Sequence, residues 1–234
     1  MDQSSRAAAA ARLTDTAAEF PCYTPAERRA DAAVHAAGLA LGLAGCAGLA
    51  AAALARPDAG PRLLAGLGLY ATGLMAMLAC SALYNLTDET APARKRLFRR
   101  LDRAAIFAAI AGTYTPFLLV AVGGARGLGL LTFVWAVAAG GIAAELLGLR
   151  RSERLSVAAY LLLGWSIVGA LGPLSAAVSP PGVALLAAGG VLYSVGVVFH
   201  LWRGLPFQNA VWHGFVLAAA ACHYAAVLRE VAAA

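Results

Sequence analysis

Seven apolar runs of about twenty residues each divide this chain, and most charged residues fall between them. A helix needs about 20 apolar residues to cross the hydrocarbon core of a bilayer, so each run can form one membrane span. The runs cover residues 33–55, 64–86, 102–122, 127–148, 155–178, 182–203 and 208–230. Only 13% of the residues are charged, against about a quarter in globular domains. The sequence therefore predicts an all-α membrane protein, a seven-transmembrane helix bundle whose helices we call spans 1 to 7.

The positively charged residues indicate the orientation of this bundle. Fourteen of the eighteen Lys and Arg residues fall in the N-terminal segment and in the second, fourth and sixth connections. Cytoplasmic connections of membrane proteins carry an excess of Lys and Arg. We therefore expect the N-terminus in the cytoplasm and the C-terminus outside. The same rule accounts for the net charge of +6. No basic stripe with interleaved aromatic residues is evident, so we expect no nucleic-acid partner.

The segment before span 1 is polar. We predict that residues 1–23 form a mobile N-terminal tail and that residues 24–234 form the seven-transmembrane domain. The sequence TPAE at 24–27 is typical of a helix start, with Thr24 as cap, Pro25 in the first turn and Glu27 completing a capping box. This pattern leaves room for a short helix on the membrane surface before span 1.

Polar side chains at membrane depth are costly and are candidates for function. Most of them fall in the predicted cytoplasmic half, namely His35, Ser81, Asn85, Asp102, Glu145, His200, Asn209 and His213, with His223 deeper. Ser81 and Asn85 are four residues apart, as are Asn209 and His213, so each pair shares a helix face. We expect a polar cluster shared by spans 2, 3 and 7. Each residue alone can instead reach interfacial water, and Asp102 can cap span 3.

Four segments resemble the bacterial hemolysin III family, which belongs with the adiponectin and progestin receptors and is distantly similar to alkaline ceramidases. They are ERRADAAVHAAGL (27–39), SALYN (81–85), LDRAAIFAAIAGTYTPFLL (101–119) and NAVWHGFVLAAAACHYAAV (209–227). The resemblance runs from about Glu27 to the end of the chain. It implies seven helices with a cytoplasmic N-terminus, in agreement with the charge distribution.

The resemblance also implies a zinc site near the cytoplasmic face. Family members bind zinc through a His of a Ser-x-x-x-His motif on span 2 and two His of a His-x-x-x-His motif on span 7. An Asp at the start of span 3 helps to hold a water. Carried over to this chain, the catalytic positions are Ser81 and Asp102, and the metal positions are Asn85, Asn209 and His213.

Two of the three expected zinc ligands are therefore asparagines here. Zinc favours imidazole, thiolate and carboxylate, and an amide oxygen is a poor substitute. We expect much weaker zinc binding than in the family, unless His35, His200 or His223 compensates. Alternatively, Asn85 and Asn209 hydrogen-bond each other across spans 2 and 7 and belong to a polar network without an ion.

Three functions remain open. The first is a hemolysin III-like, multi-pass protein of the inner (plasma) membrane. It is non-catalytic or weakly catalytic and meets membrane lipids in membrane-lipid homeostasis or sensing. The second is a metal-dependent lipid amide hydrolase, similar to ceramidases, that uses His213 and Asp102. The third is a pore-forming cytolysin, as the family name implies, but uniformly apolar spans give it no physical support.

Overall fold

The structure is a computed structural model that describes residues 23–88, 90–149 and 152–232, so the predicted tail lies outside it except for its last residue. Within these ranges, seven helical segments are long and apolar enough to cross a membrane, and no strand is present. Spans 1 to 7 cover Pro25–Leu54, Pro61–Leu86, Pro92–Val122, Gly124–Leu146, Glu153–Ala177, Pro180–Leu201 and Gln208–Ala232. The predicted all-α, seven-span membrane protein is confirmed, and its orientation stays a prediction.

Span 1 begins at the predicted capping box. The Thr24 hydroxyl accepts a hydrogen bond from the Glu27 N–H at 3.3 Å, and Glu27 Oε2 accepts one from the Thr24 N–H at 2.8 Å. The helix then continues unbroken over Pro25–Leu54. This start therefore belongs to span 1 itself, and no separate surface helix begins at Thr24. Because the helix begins before its apolar run, it carries Asp31 one turn before His35 on the same face.

Span 3 also begins before its apolar run. Its α-helix, Pro92–Pro116, takes in the basic segment 94–103. Proline is favoured at the first position of a helix, where its missing N–H needs no partner, and Lys and Arg are good helix formers. Asp102 consequently lies inside the helix, and the interpretation of Asp102 as the cap of span 3 is wrong.

Three spans are not uniform α-helices. Spans 3 and 7 end in π-helical turns at Phe117–Val122 and Leu228–Ala232. Span 5 passes through three segments, the α-helix Glu153–Trp165, the 3₁₀ segment Ser166–Ala170 and the α-helix Leu171–Ala177. At this change the Tyr114 hydroxyl lies 2.9 Å from the Leu163 carbonyl oxygen and 2.8 Å from that of Gly164. Carbonyls at a helix end lack intrahelical partners, so Tyr114 supplies a donor that joins spans 3 and 5.

Glycines let neighbouring spans approach closely. A Cβ atom at Gly73 of span 2 would lie 2.8 Å from the carbonyl oxygen of Ala108 on span 3. In the segment GGVLYSVG of span 6, a Cβ at Gly189 would lie 2.3 Å from the ring of His223 on span 7. Small residues commonly allow such contacts in membrane helices. Gly73 and Gly189 therefore serve close packing between neighbouring spans.

Replacing Gly73 by alanine is expected to destabilise the bundle, because the new methyl group meets a backbone carbonyl that cannot rotate away. Overpacking of this kind costs about 1–3 kcal/mol. Gly68, on the same helix, is the matched control, since a Cβ there meets nothing within 4 Å among the described residues. Thermal denaturation in mild detergent should give a lower Tm for Gly73→Ala and an unchanged or higher Tm for Gly68→Ala. Equal Tm values would contradict the close approach of spans 2 and 3.

The arrangement of the spans leaves space inside the bundle. Span 6 packs along span 7, and span 2 packs along spans 1 and 3, whereas spans 5 and 6 contact each other only sparsely. Large side chains such as Leu41 and Leu162 face outward, with exposures of 62% and 76%. Such leucines suit a surface that faces lipid tails. The sparse contact between spans 5 and 6 borders the cavity that is described next.

Candidate functional site

Seven polar side chains from spans 1, 2, 3 and 7 meet at one end of the bundle. This polar cluster consists of Asp31, His35, Ser81, Asn85, Asp102, Asn209 and His213. It lies where spans 1, 3 and 7 begin and span 2 ends, at the end predicted to be cytoplasmic. The expected convergence of spans 2, 3 and 7 is present in the structure, and span 1 adds two further members.

Asp31 lies at the centre of the polar cluster. Its Oδ1 atom is 2.6 Å from His213 Nδ1, and its Oδ2 atom accepts a hydrogen bond from Asn209 Nδ2 at 2.9 Å. His35 Nε2 lies 3.5 Å from the same Oδ2 atom. Asp31 and His35 are each 6% exposed and His213 is 8% exposed. A buried carboxylate thus holds two histidines and an amide, which offsets much of the cost of its burial.

The two asparagines hydrogen-bond each other across spans 2 and 7, as one of the sequence alternatives predicts. Asn209 Nδ2 donates to Asn85 Oδ1 at 3.0 Å, and Asn85 Nδ2 donates to the Ser81 carbonyl oxygen at 2.9 Å. Asn85 Nδ2 also lies 3.4 Å from the Ser81 hydroxyl. A continuous chain of hydrogen bonds therefore runs from Asp31 through both amides to span 2.

Ser81 connects this chain to span 3. Its hydroxyl lies 3.4 Å from His213 Nε2, and it also interacts with the Asp102 carboxyl group. Ser81, Asp102 and His213 all line one cavity. The structure thus brings together all five residues for which the sequence predicts a catalytic or metal role.

The remaining histidines have other partners. His200 Nε2 lies 2.9 Å from Glu153 Oε1, and the carboxylate of Glu153 also pairs with Arg203. His223 Nε2 lies 3.2 Å from the Leu186 carbonyl oxygen, deeper in the bundle. Of the three histidines proposed to compensate for the missing ligands, His35 alone joins His213 in a group that can hold an ion, as far as the described residues go.

Asp31 is the residue that sequence reasoning missed. The apolar run places the start of span 1 at residue 33, so Asp31 was not counted among the polar groups at membrane depth. The signal was nevertheless present, because TPAE starts a helix at residue 25 and Asp31 precedes His35 by one turn. What the sequence does not contain is the contact between this face of span 1 and span 7.

Three buried residues of the polar cluster can hold a metal ion. Asp31, His35 and His213 each offer one ligand atom, and these atoms lie within 4.8 Å of one another. Imidazole nitrogens and a carboxylate oxygen are suitable ligands for zinc and other transition metals.

A cavity of about 430 Å³ extends from the polar cluster into the middle of the bundle. Polar groups line one end, contributed by His35, Ser81, Arg99, Asp102, Arg103, Glu153, His200 and His213. Apolar side chains line most of the rest, among them Met77, Ile106, Phe117, Ile167, Leu174 and Leu186. The cavity therefore has one polar end and an apolar body.

A second, smaller space of about 310 Å³ lies on the other side of Asp31. Its lining includes both asparagines of the polar cluster, Arg203 and Tyr23. Burial raises the pKa of Tyr23 to about 12, because the phenolate is harder to desolvate than the phenol. Tyr23 is thus a neutral hydrogen-bonding group at neutral pH, next to the start of span 1.

Known proteins are similar to this chain over most of its length. A family model described as "Haemolysin-III related" matches residues 27–224. Hemolysin-3 from Bacillus cereus is 45% identical over 137 residues, which make up 58% of this chain and 63% of that protein. The hemolysin-3 homolog of Bacillus subtilis (strain 168) is 41% identical over 155 residues, 66% of this chain and 71% of that protein. The match thus spans less than two thirds of the Bacillus cereus protein's length.

The similarity extends beyond bacteria. The human monocyte to macrophage differentiation factor is 31% identical over 163 residues, which make up 68% of this chain and 67% of that protein.

Proposed function

This chain belongs to the haemolysin-III-related family, and we propose that it acts in membrane-lipid homeostasis or sensing by holding a membrane lipid in its cavity. The observation that carries the proposal is that one cavity joins the polar cluster to the apolar middle of the bundle. A membrane lipid has the same division into a polar headgroup and an apolar chain. The cavity volume of about 430 Å³ falls within the range of about 300–1,000 Å³ that is usual for ligand sites.

We propose that the lipid enters from the bilayer between spans 5 and 6. These spans touch sparsely along their length. One link between them is the hydrogen bond from Trp165 Nε1 to Ser194 Oγ at 3.0 Å, and both residues line the cavity. Glu153 of span 5 and His200 of span 6 form a second link at the polar end of the cavity. Away from that end, a hydrogen bond between neutral groups contributes only about 0.5–1.5 kcal/mol, so little holds this side of the bundle closed.

The polar end of the cavity favours a headgroup with hydrogen-bond donors. Asp102 offers carboxyl oxygens, and the Ser81 hydroxyl beside it can donate or accept. Arg99 and Arg103 line the same end of the cavity, so an anionic headgroup would find cationic partners there as well as the Asp102 carboxylate. We therefore expect a lipid whose headgroup presents hydroxyl or amide groups toward Asp102 and Ser81.

We propose that Asn85 and Asn209 act through hydrogen bonds and not as metal ligands. The Asn85 carbonyl oxygen already accepts from Asn209, and both amide groups donate within the polar cluster. Neutral amide oxygens are poor zinc ligands. The zinc that the family resemblance implies therefore does not fit the two asparagine positions.

The location follows from the charges and the spans together. The chain is a multi-pass membrane protein, and we propose the inner (plasma) membrane, with the N-terminus in the cytoplasm, because most Lys and Arg residues lie on that side. On this orientation the polar cluster faces the cytoplasm, and the apolar body of the cavity reaches toward the outer leaflet.

Filling the cavity is expected to displace the bound lipid. Ala187 of span 6 lines the cavity and is exposed, so Ala187→Phe adds bulk there without overpacking the core. Ala184→Phe is the matched control, because Ala184 is also exposed on span 6 but does not line the cavity. We expect mass spectrometry of the purified proteins to detect several-fold less co-purified lipid with Ala187→Phe than with wild type or Ala184→Phe. The same lipid content in all three would overturn the proposal.

One observation favours the second candidate, lipid amide hydrolysis. Asp102 and Ser81 lie together at the polar end of the cavity, next to His213. A carboxylate and a hydroxyl so placed can hold a water against a bound amide, and a metal would add Lewis-acid chemistry when bound. Release of fatty acid from a long-chain ceramide by wild type, and its loss in Asp102→Asn, would favour this function over sensing.

A further inference from the structure

We propose that Asp31, His35 and His213 form a binding site for a divalent transition-metal ion, with zinc as the ion that fits them best. One ligand atom from each residue lies within 4.8 Å of the other two, and all three residues are buried. Two imidazoles with one carboxylate are a ligand set found in catalytic zinc sites. Spans 1 and 7 build the site, so it stands independently of whether a lipid occupies the cavity.

The distances between the ligand atoms suit a single ion. Zinc binds nitrogen and oxygen ligands at about 2.0–2.2 Å, so two ligand atoms on one tetrahedral ion lie about 3.3 Å apart. Asp31 Oδ1 lies 2.6 Å from His213 Nδ1, and Asp31 Oδ2 lies 3.5 Å from His35 Nε2. The centroids of the two imidazole rings are 4.4 Å apart. Small side-chain rotations are sufficient to direct the three groups at one point.

His35 provides a second, independent observation. Its Nε2 atom is fully buried and makes no hydrogen bond with the described residues, although it faces the Asp31 carboxylate. Such atoms are rare, because leaving a buried polar group unsatisfied costs about 1–3 kcal/mol. His35 also lines the cavity. A metal ion bound by this nitrogen removes the cost.

The partners of these ligands support the same site. With Nδ1 of His213 on the ion, its Nε2–H faces the Ser81 hydroxyl at 3.4 Å, and such a second hydrogen bond fixes the ring of most metal-binding histidines. Asn209 donates to Asp31 Oδ2 and is itself held by Asn85. The two asparagines therefore orient the Asp31 carboxylate. In this site the carboxylate takes the place of the imidazoles that the family resemblance implies at positions 85 and 209.

Charge also favours a cation here. Asp31 is buried with two imidazoles, whereas Asp102 shares its end of the cavity with Arg99 and Arg103. A buried carboxylate is stabilised by a nearby positive charge. A divalent ion supplies that charge without protonating either histidine.

The test is the metal content of full-length protein purified in mild detergent without chelator and then incubated with zinc. Elemental analysis after removal of loosely bound metal should give about one zinc per chain for wild type and none for Asp31→Asn or His35→Gln. Because His35 Nε2 makes no hydrogen bond with the described residues, His35→Gln removes a ligand without breaking a hydrogen bond at that atom, although it also removes the ring contact with His213. The matched control is His223→Gln, a half-buried histidine outside the group, which should retain the zinc.

Visible absorption of bound Co²⁺ provides a readout that does not depend on activity or zinc contamination. Wild type should develop the intense bands of a tetrahedral cobalt site, and His35→Gln should not. Wild type without bound metal, or His35→Gln with a full equivalent of zinc and an unchanged cobalt spectrum, would overturn the site. Loss of lipid binding with metal content preserved would overturn the proposed function alone.

Discussion

Replacing Asp31 by alanine is expected to lower the free energy of unfolding by about 1–3 kcal/mol for each buried polar group that is left without its hydrogen-bond partner. The substitution leaves His213 Nδ1 and one Asn209 N–H without the carboxylate oxygens that lie 2.6 and 2.9 Å away. His35 loses its nearest charged neighbour as well. Thermal denaturation of the detergent-solubilised protein should show the loss as a markedly lower Tm.

Asp58 is the matched control for this experiment. It is likewise an aspartate with a side-chain partner, in an ion pair with Arg56 at 2.7 Å, but its side chain is 70% exposed. Exposed ion pairs contribute little because water and salt screen them. Asp58→Ala should therefore leave Tm nearly unchanged, and an Asp31→Ala protein with the same Tm as Asp58→Ala would contradict the central position of Asp31.

Restoring histidines at both asparagine positions is expected to create a second way to bind zinc. In an Asp31→Asn background, Asn85→His together with Asn209→His should raise the zinc content from none to about one per chain. The reason is that residue 209 precedes His213 by one turn, and Asn85 already contacts Asn209 at 3.0 Å. Histidines at positions 85 and 209 would lie next to His213, and the three imidazoles together form a ligand set suitable for zinc.

The control for the restored site keeps an amide side chain at both positions. Asn85→Gln with Asn209→Gln in the same Asp31→Asn background changes size but adds no imidazole, and it should bind no zinc. If the glutamine and histidine proteins bind the same amount of zinc, the side chains at positions 85 and 209 are not ligands of the ion. Elemental analysis and the cobalt spectrum report both results.

Much of the fold was predictable because its signals are local. Runs of about twenty apolar residues define the spans, and TPAE and Pro92 define the starts of spans 1 and 3 once capping is considered. Hydropathy alone placed both starts too late, because a helix continues past the apolar run wherever its polar residues also favour helix. The hydrogen bond between Asn85 and Asn209 was predictable from their depth and spacing.

The central residue of the site was not predicted. Asp31 lies outside the apolar run, and its importance comes from the packing of span 1 against span 7, which brings it to His213 across 182 positions of sequence. Such contacts depend on which helices are neighbours in the bundle, and no local sequence pattern determines that arrangement. For the same reason, the role of Tyr114 at the break in span 5 could not be derived from IAGTYTPF alone.

The identity of the ligands on bound zinc tests the account most directly, and X-ray absorption at the zinc edge reports it. If Asp31, His35 and His213 bind the ion, the spectrum of wild type should show two imidazole ligands with oxygen completing the site, and that of Asn85→Ala should show the same two. A zinc ion bound at Asn85, Asn209 and His213 would instead have one imidazole ligand, that of His213. A spectrum with one imidazole, or one whose ligands change when Asn85 is removed, would contradict the assignment of the metal to span 1.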